Sequence, residues 1–501
     1  MPYTVGLDIG TSGARAIIVD ERGGVVASGS ATVPISHPRP LWSEQNPLDW
    51  WDGAQGALRE ALAAAGPAIT SEIVGIGLTG QMHGAVFLDG ADQPIRPAML
   101  WNDGRTAAQC AEIERVVGSE RLLAIAGNPA LTGFQAPKVL WLRDHEPDAY
   151  ARLRRLLLPK DYIRLRLTGD AATDASDASG TLLLDLATRD WSPEIVDALG
   201  FSMEWLPTVH EGPDVTGTLL PEVAAALGLP AGLPVVAGGG DNAAAAVGTG
   251  IVREGFVSAS VGTSGVIFAH SDAFRPDPSG RLHAFCHAVP GKYHLMGVTL
   301  SAGGSFQWWR DLLGDGADFG ALADAASAVP AGAEGLLFLP YLSGERTPHR
   351  DPLARGTFFG LTTRHAQAHL TRAVMEGVVF SLRESIAIMQ ELGIRIDHVR
   401  ATGGGAKHPL WIALQADIFG LPVYRTQADE GPALGAALLA GVGAGVFADV
   451  DAASASVAVE EPGRLPTPAL AARYDALSPL YRDLYMRSAD MMHGLAHYEE
   501  G

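Results

Sequence analysis

VGLDIGTSGARAIIVD occupies residues 5–20, and FVSASVGTSGVIFAH occupies residues 256–270. Each is an apolar, β-branched run, then Gly-Thr-Ser-Gly, then a second apolar run. That pattern predicts a hairpin of two strands around a tight turn. Glycines let a ligand approach the backbone, and successive N–H groups in such a turn form a concave anion site. Thr11 and Ser12 add hydroxyl groups, and Asp8 sits at the end of the entering strand, where it could hold a hydrated cation. One copy reads as an ordinary turn. Two identical copies, one in each half, predict a cleft with a phosphate-binding hairpin on either side.

Outward from the first hairpin, residues 3–33 read as strand, turn, strand, turn, strand, with Glu21-Arg22-Gly23-Gly24 as the second turn. PLDWWDGAQGALREALAAAG then predicts an amphipathic helix, with Trp51, Ala54, Leu58 and Leu62 on its apolar stripe. EIVGIGLTG and GAVFLD read as strands. The second half repeats the theme: KYHLMGVTL is a strand, and DHVRATGGGAKHPLWIALQADIFGLPVYR reads as strand, glycine loop, helix, strand. Leu410, Leu414 and Ile418 mark the buried side of that helix. A chain of 501 residues is long for one core, and two domains are expected. The break falls near 240–255, giving domains of 1–245 and 246–501.

The net charge of −20 disfavours DNA, RNA and anionic membranes as partners. Two cysteines, Cys110 and Cys286, are too few for a disulfide framework, so free thiols and a cytoplasmic setting are expected. MPYTVGLDIG has no signal-peptide pattern, and the Gly/Ala-rich stretch 432–450 predicts a buried helix rather than a span.

Three further glycine-bounded motifs carry chemistry. In GGGDNAAAAVG, residues 238–248, Asp241 could be a helix N-cap, a general base, or both. TGGGAKHP, residues 402–409, suits a phosphate edge or a nucleoside face, or only a tight strand-to-helix turn. TGQMHGAVF presents Gln81, Met82 and His83, and LWNDGRT presents Trp101, Asn102, Asp103 and Arg105. Such planar donors and acceptors beside an aromatic face suit a polyhydroxy substrate. Taken alone, His83 reads first as a structural histidine, and Asn102-Asp103-Gly104 could be only a turn. Glu44 and Gln45 of WSEQNP join this polar set, with Ser43 or Asn46 as a cap for the next helix. GIGLTG, residues 75–80, matches GxGxxG but is not followed by a helical pattern, so a dinucleotide fold is excluded. Gly291-Lys292 is followed by Tyr293, so there is no Walker A loop.

Together GLDIGTSG, GLTGQMHG, GGGDNAAAAVG, SVGTSG, YLSGERTPH, GGGAKHPLW and EGPALGAA, in this order, resemble the FGGY family of carbohydrate kinases over nearly the whole chain. The resemblance implies an α/β fold of two RNase H-like domains, of the actin/hexokinase/Hsp70-like ATPase kind, around a central cleft. It implies sugar binding by 1–245 and ATP binding mostly by 246–501, with Mg²⁺ and, in such kinases, a homodimer. QMHG, LWNDGRT and SGERTPH are similar to the branch that phosphorylates D-xylulose to D-xylulose 5-phosphate. By the same resemblance Asp241 is the general base and Asp8 the acidic residue near Mg²⁺. Met82 and His83 contact the sugar, with Gln81, Trp101, Asn102 and Asp103 beside them. Thr11, Thr263, Gly303, Gln307 and Gly404 contact the nucleotide. His408 departs from the smaller polar residue usual at its position. The alternatives are a kinase for ribulose, glycerol or gluconate, or a nucleotide-switched binding module on the same superfold.

Overall fold

The computed structural model describes residues 1–314, 316–426, 431–457, 459 and 462–499. Glu430, the first residue of EGPALGAA, lies outside them. Both predicted hairpins form. β1 (Tyr3–Ile9) and β2 (Gly13–Asp20) are antiparallel around the first GTSG, and β3 (Val25–Thr32) continues the meander. α1 (Pro47–Ala65) follows, and then β4 (Ile73–Gly80) runs parallel to β1. Val215–Thr218 (β5) and Pro234–Val236 (β6) complete a sheet of order β5-β6-β4-β1-β2-β3, and Gly239–Gly240 pairs with the end of β4.

α2 (Asp241–Gly248) leads to the second sheet. There β7 (Gly255–Val261) and β8 (Gly265–Ser271) form the second GTSG hairpin. β9 (His283–Cys286) and β10 (Tyr293–Thr299) extend it antiparallel. After α3 (Gly303–Leu312) and the long α4 (Gln367–Glu391), β11 (Ile396–Gly403) pairs parallel with β7. α5 (Pro409–Phe419) then leads to β12 (Val423–Arg425), parallel to β11. The order β9-β10-β8-β7-β11-β12 repeats the path of the first sheet: three antiparallel strands, then parallel neighbours on the far side of the first. This is the expected pair of RNase H-like sheets.

Alternation along β2 explains how the first sheet is covered. Ala14, Ala16 and Ile18 pack with Trp50, Ala54 and Leu58 of α1. Ile17 and Val19 point the other way, into a cluster with Ala433, Leu434 and Ala437 of α6 (Gly431–Gly443). Ala54, Leu58 and Leu62 of the α1 stripe are buried as expected, but Trp50, fully buried, completes it in place of Trp51, which is only half-buried. Asn46 is the cap, its side chain accepting the Leu48 N–H. Leu410, Leu414 and Ile418 are buried as expected.

α6, from the second half of the sequence, lies on the first sheet. A Cβ on Gly6 would stand 1.9 Å from the Ala433 carbonyl oxygen, and one on Gly77 1.9 Å from that of Ala436. On its other side, a Cβ on Gly435 would meet the Ala244 carbonyl oxygen of α2 at 1.8 Å. The sheet, α6 and α2 therefore touch backbone to backbone through glycine. Among the described residues no helix is long and apolar enough to cross a membrane.

Candidate active site

The parallel strands of the first sheet end together, and their ends carry the acidic groups. Asp8 on β1 lies beside Thr79 on β4, and Thr79 lies beside Gly239. Two residues later comes Asp241. Burial, and then the nearby Asp241 charge, raise the Asp8 carboxyl from its ordinary range to about 7, with Arg15 opposing both. Asp8 Oδ1 and Thr79 Oγ1 are buried without a hydrogen-bond partner.

Asp241 is not the helix N-cap. Gly240 holds that place with no side-chain bond, and Asp241 is the first helical residue. Its Oδ1 accepts the Asn242 backbone N–H at 2.7 Å and the Asn242 Nδ2–H at 2.9 Å. Burial lifts its carboxyl to about 6, against the pull of those two bonds. A Cβ at 240 would sit 2.8 Å from Met82 Cγ, so glycine lets Met82 pack close against the backbone before Asp241.

Met82, His83, Trp101, Asn102 and Asp103 line one cavity of ≈ 550 Å³ together with Asp241. His83 adopts φ 69°, a conformation unusual for a side-chain-bearing residue. Its Nδ1 lies 2.8 Å from the Gly180 carbonyl oxygen, so Nδ1 carries the proton and Nε2 is left as an acceptor. Burial, then the charges of Lys138 and Arg346, push the ring down to about 3, which keeps it neutral despite the bond to Gly180. Phe134 stands edge-on to it at 4.7 Å. Asp103 lines the wall with its charge already engaged, by Arg105 at 2.6 Å and by the Ser43 N–H at 2.8 Å. Glu44 also pairs with Arg105, at 2.7 Å.

Gln81 does not reach this cavity. It is buried, accepting from the Thr11 hydroxyl at 3.0 Å and donating to Gln45 at 2.9 Å. The Trp101 indole N–H also donates to Thr11 Oγ1, at 2.9 Å. Gln81 thus fixes the first GTSG turn, as does Gln45, which donates to the Thr11 carbonyl at 2.8 Å. The sequence reading missed His283, Phe285 and Arg346, which come to the same cavity from the second half.

A second cavity of ≈ 460 Å³ is built on the second sheet and brings Thr263, Gly303, Gln307 and Gly404 together. The start of α3 is bound directly to the hairpin: Gly303 N–H donates to the Gly262 carbonyl at 2.7 Å, and Gly304 N–H to that of Thr263 at 3.0 Å. Thr11 does not line this cavity. Phe306, Trp411 and Phe319 supply an apolar wall, with Phe306 5.4 Å from Phe319 and 5.8 Å from Trp411. SFQWW and HPLW held that aromatic signal. Lys407 and His408 stand at its edge. His408 caps α5 through Nδ1, which accepts the Leu410 N–H at 3.1 Å, and so its departure from a small residue preserves a capping role.

Two cavities, one polar with a carboxylate and one apolar against a glycine turn, on a duplicated fold, define a phosphotransferase cleft. The chain belongs to the FGGY family of carbohydrate kinases: residues 3–248 match the model of its N-terminal domain and residues 257–444 that of its C-terminal domain. Within the family it is similar to the xylulose kinase of Escherichia coli (strain K12), 44% identical over 97% of this chain and 99% of that one. It is 48% identical to the xylulose kinase of Klebsiella pneumoniae over 87% of this chain and 89% of that one. The crystal structure of a xyloylose kinase from Brucella ovis superposes with a TM-score of 0.93 at 40% identity, covering 98% of this chain and all of that chain.

Proposed function

We propose that the chain transfers the γ-phosphoryl group of ATP to O5 of D-xylulose, giving D-xylulose 5-phosphate and ADP. The observation that carries this reading is the Asp241 carboxylate in the wall of the Met82–His83 cavity. A sugar hydroxyl is a poor nucleophile at neutral pH, so a base must take its proton as attack proceeds. Asp241 Oδ2 is the receiving atom, since Oδ1 is held by Asn242. Neutral His83 accepts from a sugar hydroxyl at Nε2, and Asn102 offers an amide. Residues 1–245 bind the sugar. Residues 246–501 bind the nucleotide, with the adenine against Phe306 and Trp411 and the phosphates against the Thr263 turn.

Mg²⁺ fits the donor set. Asp8 Oδ1 is a buried hard oxygen without a partner, beside a second carboxylate. Among the described residues no group of three or more His, Cys, Asp or Glu is disposed to hold a metal. Mg²⁺ commonly takes one or two carboxylates plus substrate phosphates, so Asp8 would hold it together with the nucleotide. When bound, the ion offsets charge on the phosphate oxygens. Positioning and exclusion of water fall to the protein.

An ADP-release assay over a panel of ketoses and polyols tests the reading. D-xylulose is expected to give the highest kcat/KM. A higher value with D-ribulose, glycerol or gluconate would overturn the substrate assignment.

A further inference from the structure

The segment Ser343-Gly344-Glu345-Arg346-Thr347-Pro348 crosses from the second half to the rim of the first cavity, and its side chains alternate. Glu345 turns inward. Its Oε1 accepts the N–H groups of Leu300 at 3.0 Å and Arg346 at 2.7 Å, and its Oε2 accepts from the hydroxyls of Thr299 and Ser381. Thr347 also turns inward. Its N–H donates to the Val298 carbonyl at 3.0 Å, its hydroxyl donates to the Arg281 carbonyl at 2.8 Å and accepts the Val298 N–H at 3.1 Å. Both neighbours are buried and tied to β10 or its continuation. Arg346 stands between them, exposed, and lines the cavity with Asp241, Asn242 and Ser264.

Among the described residues of that wall, Arg346 is the one cation, because His83 and His283 are both held neutral by burial. A ketose is uncharged and does not call for a cation. A phosphoryl group does, and in a chain of net charge −20 the attraction must be local. A guanidinium supplies paired N–H donors that match two phosphate oxygens. The Asp241 carboxyl is governed by burial and by Asn242, so Arg346 is not consumed in pairing with it. We propose that Arg346 binds the phosphoryl group in transit and on the ketose phosphate product, a catalytic contact delivered to the sugar cavity by the opposite half of the molecule. The inference rests on the reading of the first cavity as the sugar site.

The test uses full-length Arg346→Gln and Arg346→Lys enzymes. Turnover is measured with D-xylulose, and the Kd of D-xylulose 5-phosphate by calorimetry. The glutamine variant should melt with the wild type, since the side chain is exposed. Its kcat should fall about 10²-fold or more, as for loss of a donor aimed at developing phosphoryl charge. Its product Kd should weaken about tenfold or more, while the ketose KM stays within about threefold. Lysine should restore part of both, keeping the charge without the fork. Unchanged product affinity, whether kcat holds or the ketose KM rises instead, would overturn the proposal. Wild-type enzyme that turns over a different ketose would overturn the substrate assignment alone, and the same variants with that ketose and its phosphate then decide Arg346.

Discussion

Asp241 stands one position inside its helix rather than at the cap, and this separates two roles that the sequence leaves mixed. Asparagine can keep the bond to the Asn242 N–H, so Asp241→Asn should leave the melting temperature nearly unmoved. It cannot accept a proton, so kcat should fall about 10²–10⁴-fold. A folded variant with more than about a tenth of wild-type kcat contradicts the base assignment. With the wild-type carboxyl raised to about 6, kcat/KM should decline as pH falls through 6, because the base must be ionised to act. A profile flat from pH 8 to 5 would point to a different acceptor. Asp8 makes a stability statement. Its folded pKa of about 7 lies above its unfolded value of roughly 3.9, so the folded state favours the protonated form. The stability that proton confers is full below the unfolded value and lost as pH rises through 7. Without metal or nucleotide, Asp8→Asn should therefore melt above wild type at pH 8 and close to it at pH 4. Scanning calorimetry showing the reverse at pH 8 would mean the carboxylate is paired. Asp8, Asp241, Met82 and His83 stand out in the sequence because glycines flank each of them, and the structure brings Met82, His83 and Asp241 to one cavity. Arg346 and Lys407 do not stand out in this way, since lone basic residues in loops are usually solvated, and only tertiary placement brings them to the cavity walls. Gln81 was over-read: adjacent residues in a bend face opposite ways, and it faces the turn it braces.

At the level of elements, the two GTSG hairpins and most of the strands were readable because β-branched runs and glycine turns act locally. The α1 stripe held at Ala54, Leu58 and Leu62 but failed at its first member, because Trp50 and Trp51 are equally apolar and only packing selects Trp50. What no local pattern revealed is the fit of α6. Its composition, GPALGAALLAGVG, reads as a buried helix but does not say against what. Gly6, Gly77 and Gly435 supply the answer through their missing Cβ atoms. Gly77→Ala should force α6 off the sheet, at a cost of about 1–3 kcal/mol or more, typical of overpacking. The readout is a lowered melting temperature, with reduced kcat because α6 also seats α2 and hence Asp241. Wild-type stability in that variant would show that the sheet and helix can part without loss.

For the molecule as a whole, duplication was legible from the repeated turn, and the charge balance pointed away from polyanions. The polar cavity draws walls from both halves, with Asp241 from one side and Arg346 from the other, so approach of the halves shapes it. The placement of α6 also bears on how the chain is made. Synthesis from the N-terminus delivers β1 to β6 well before residues 431–443 leave the ribosome. Throughout that interval one face of the first sheet, with Ile17, Val19 and its glycine track, lacks its cover. A fragment of residues 1–250 should accordingly aggregate or bind a dye such as ANS when expressed alone, and a well-dispersed, dye-silent fragment would contradict this. The nascent first half must wait for its own distant sequence before that face is covered.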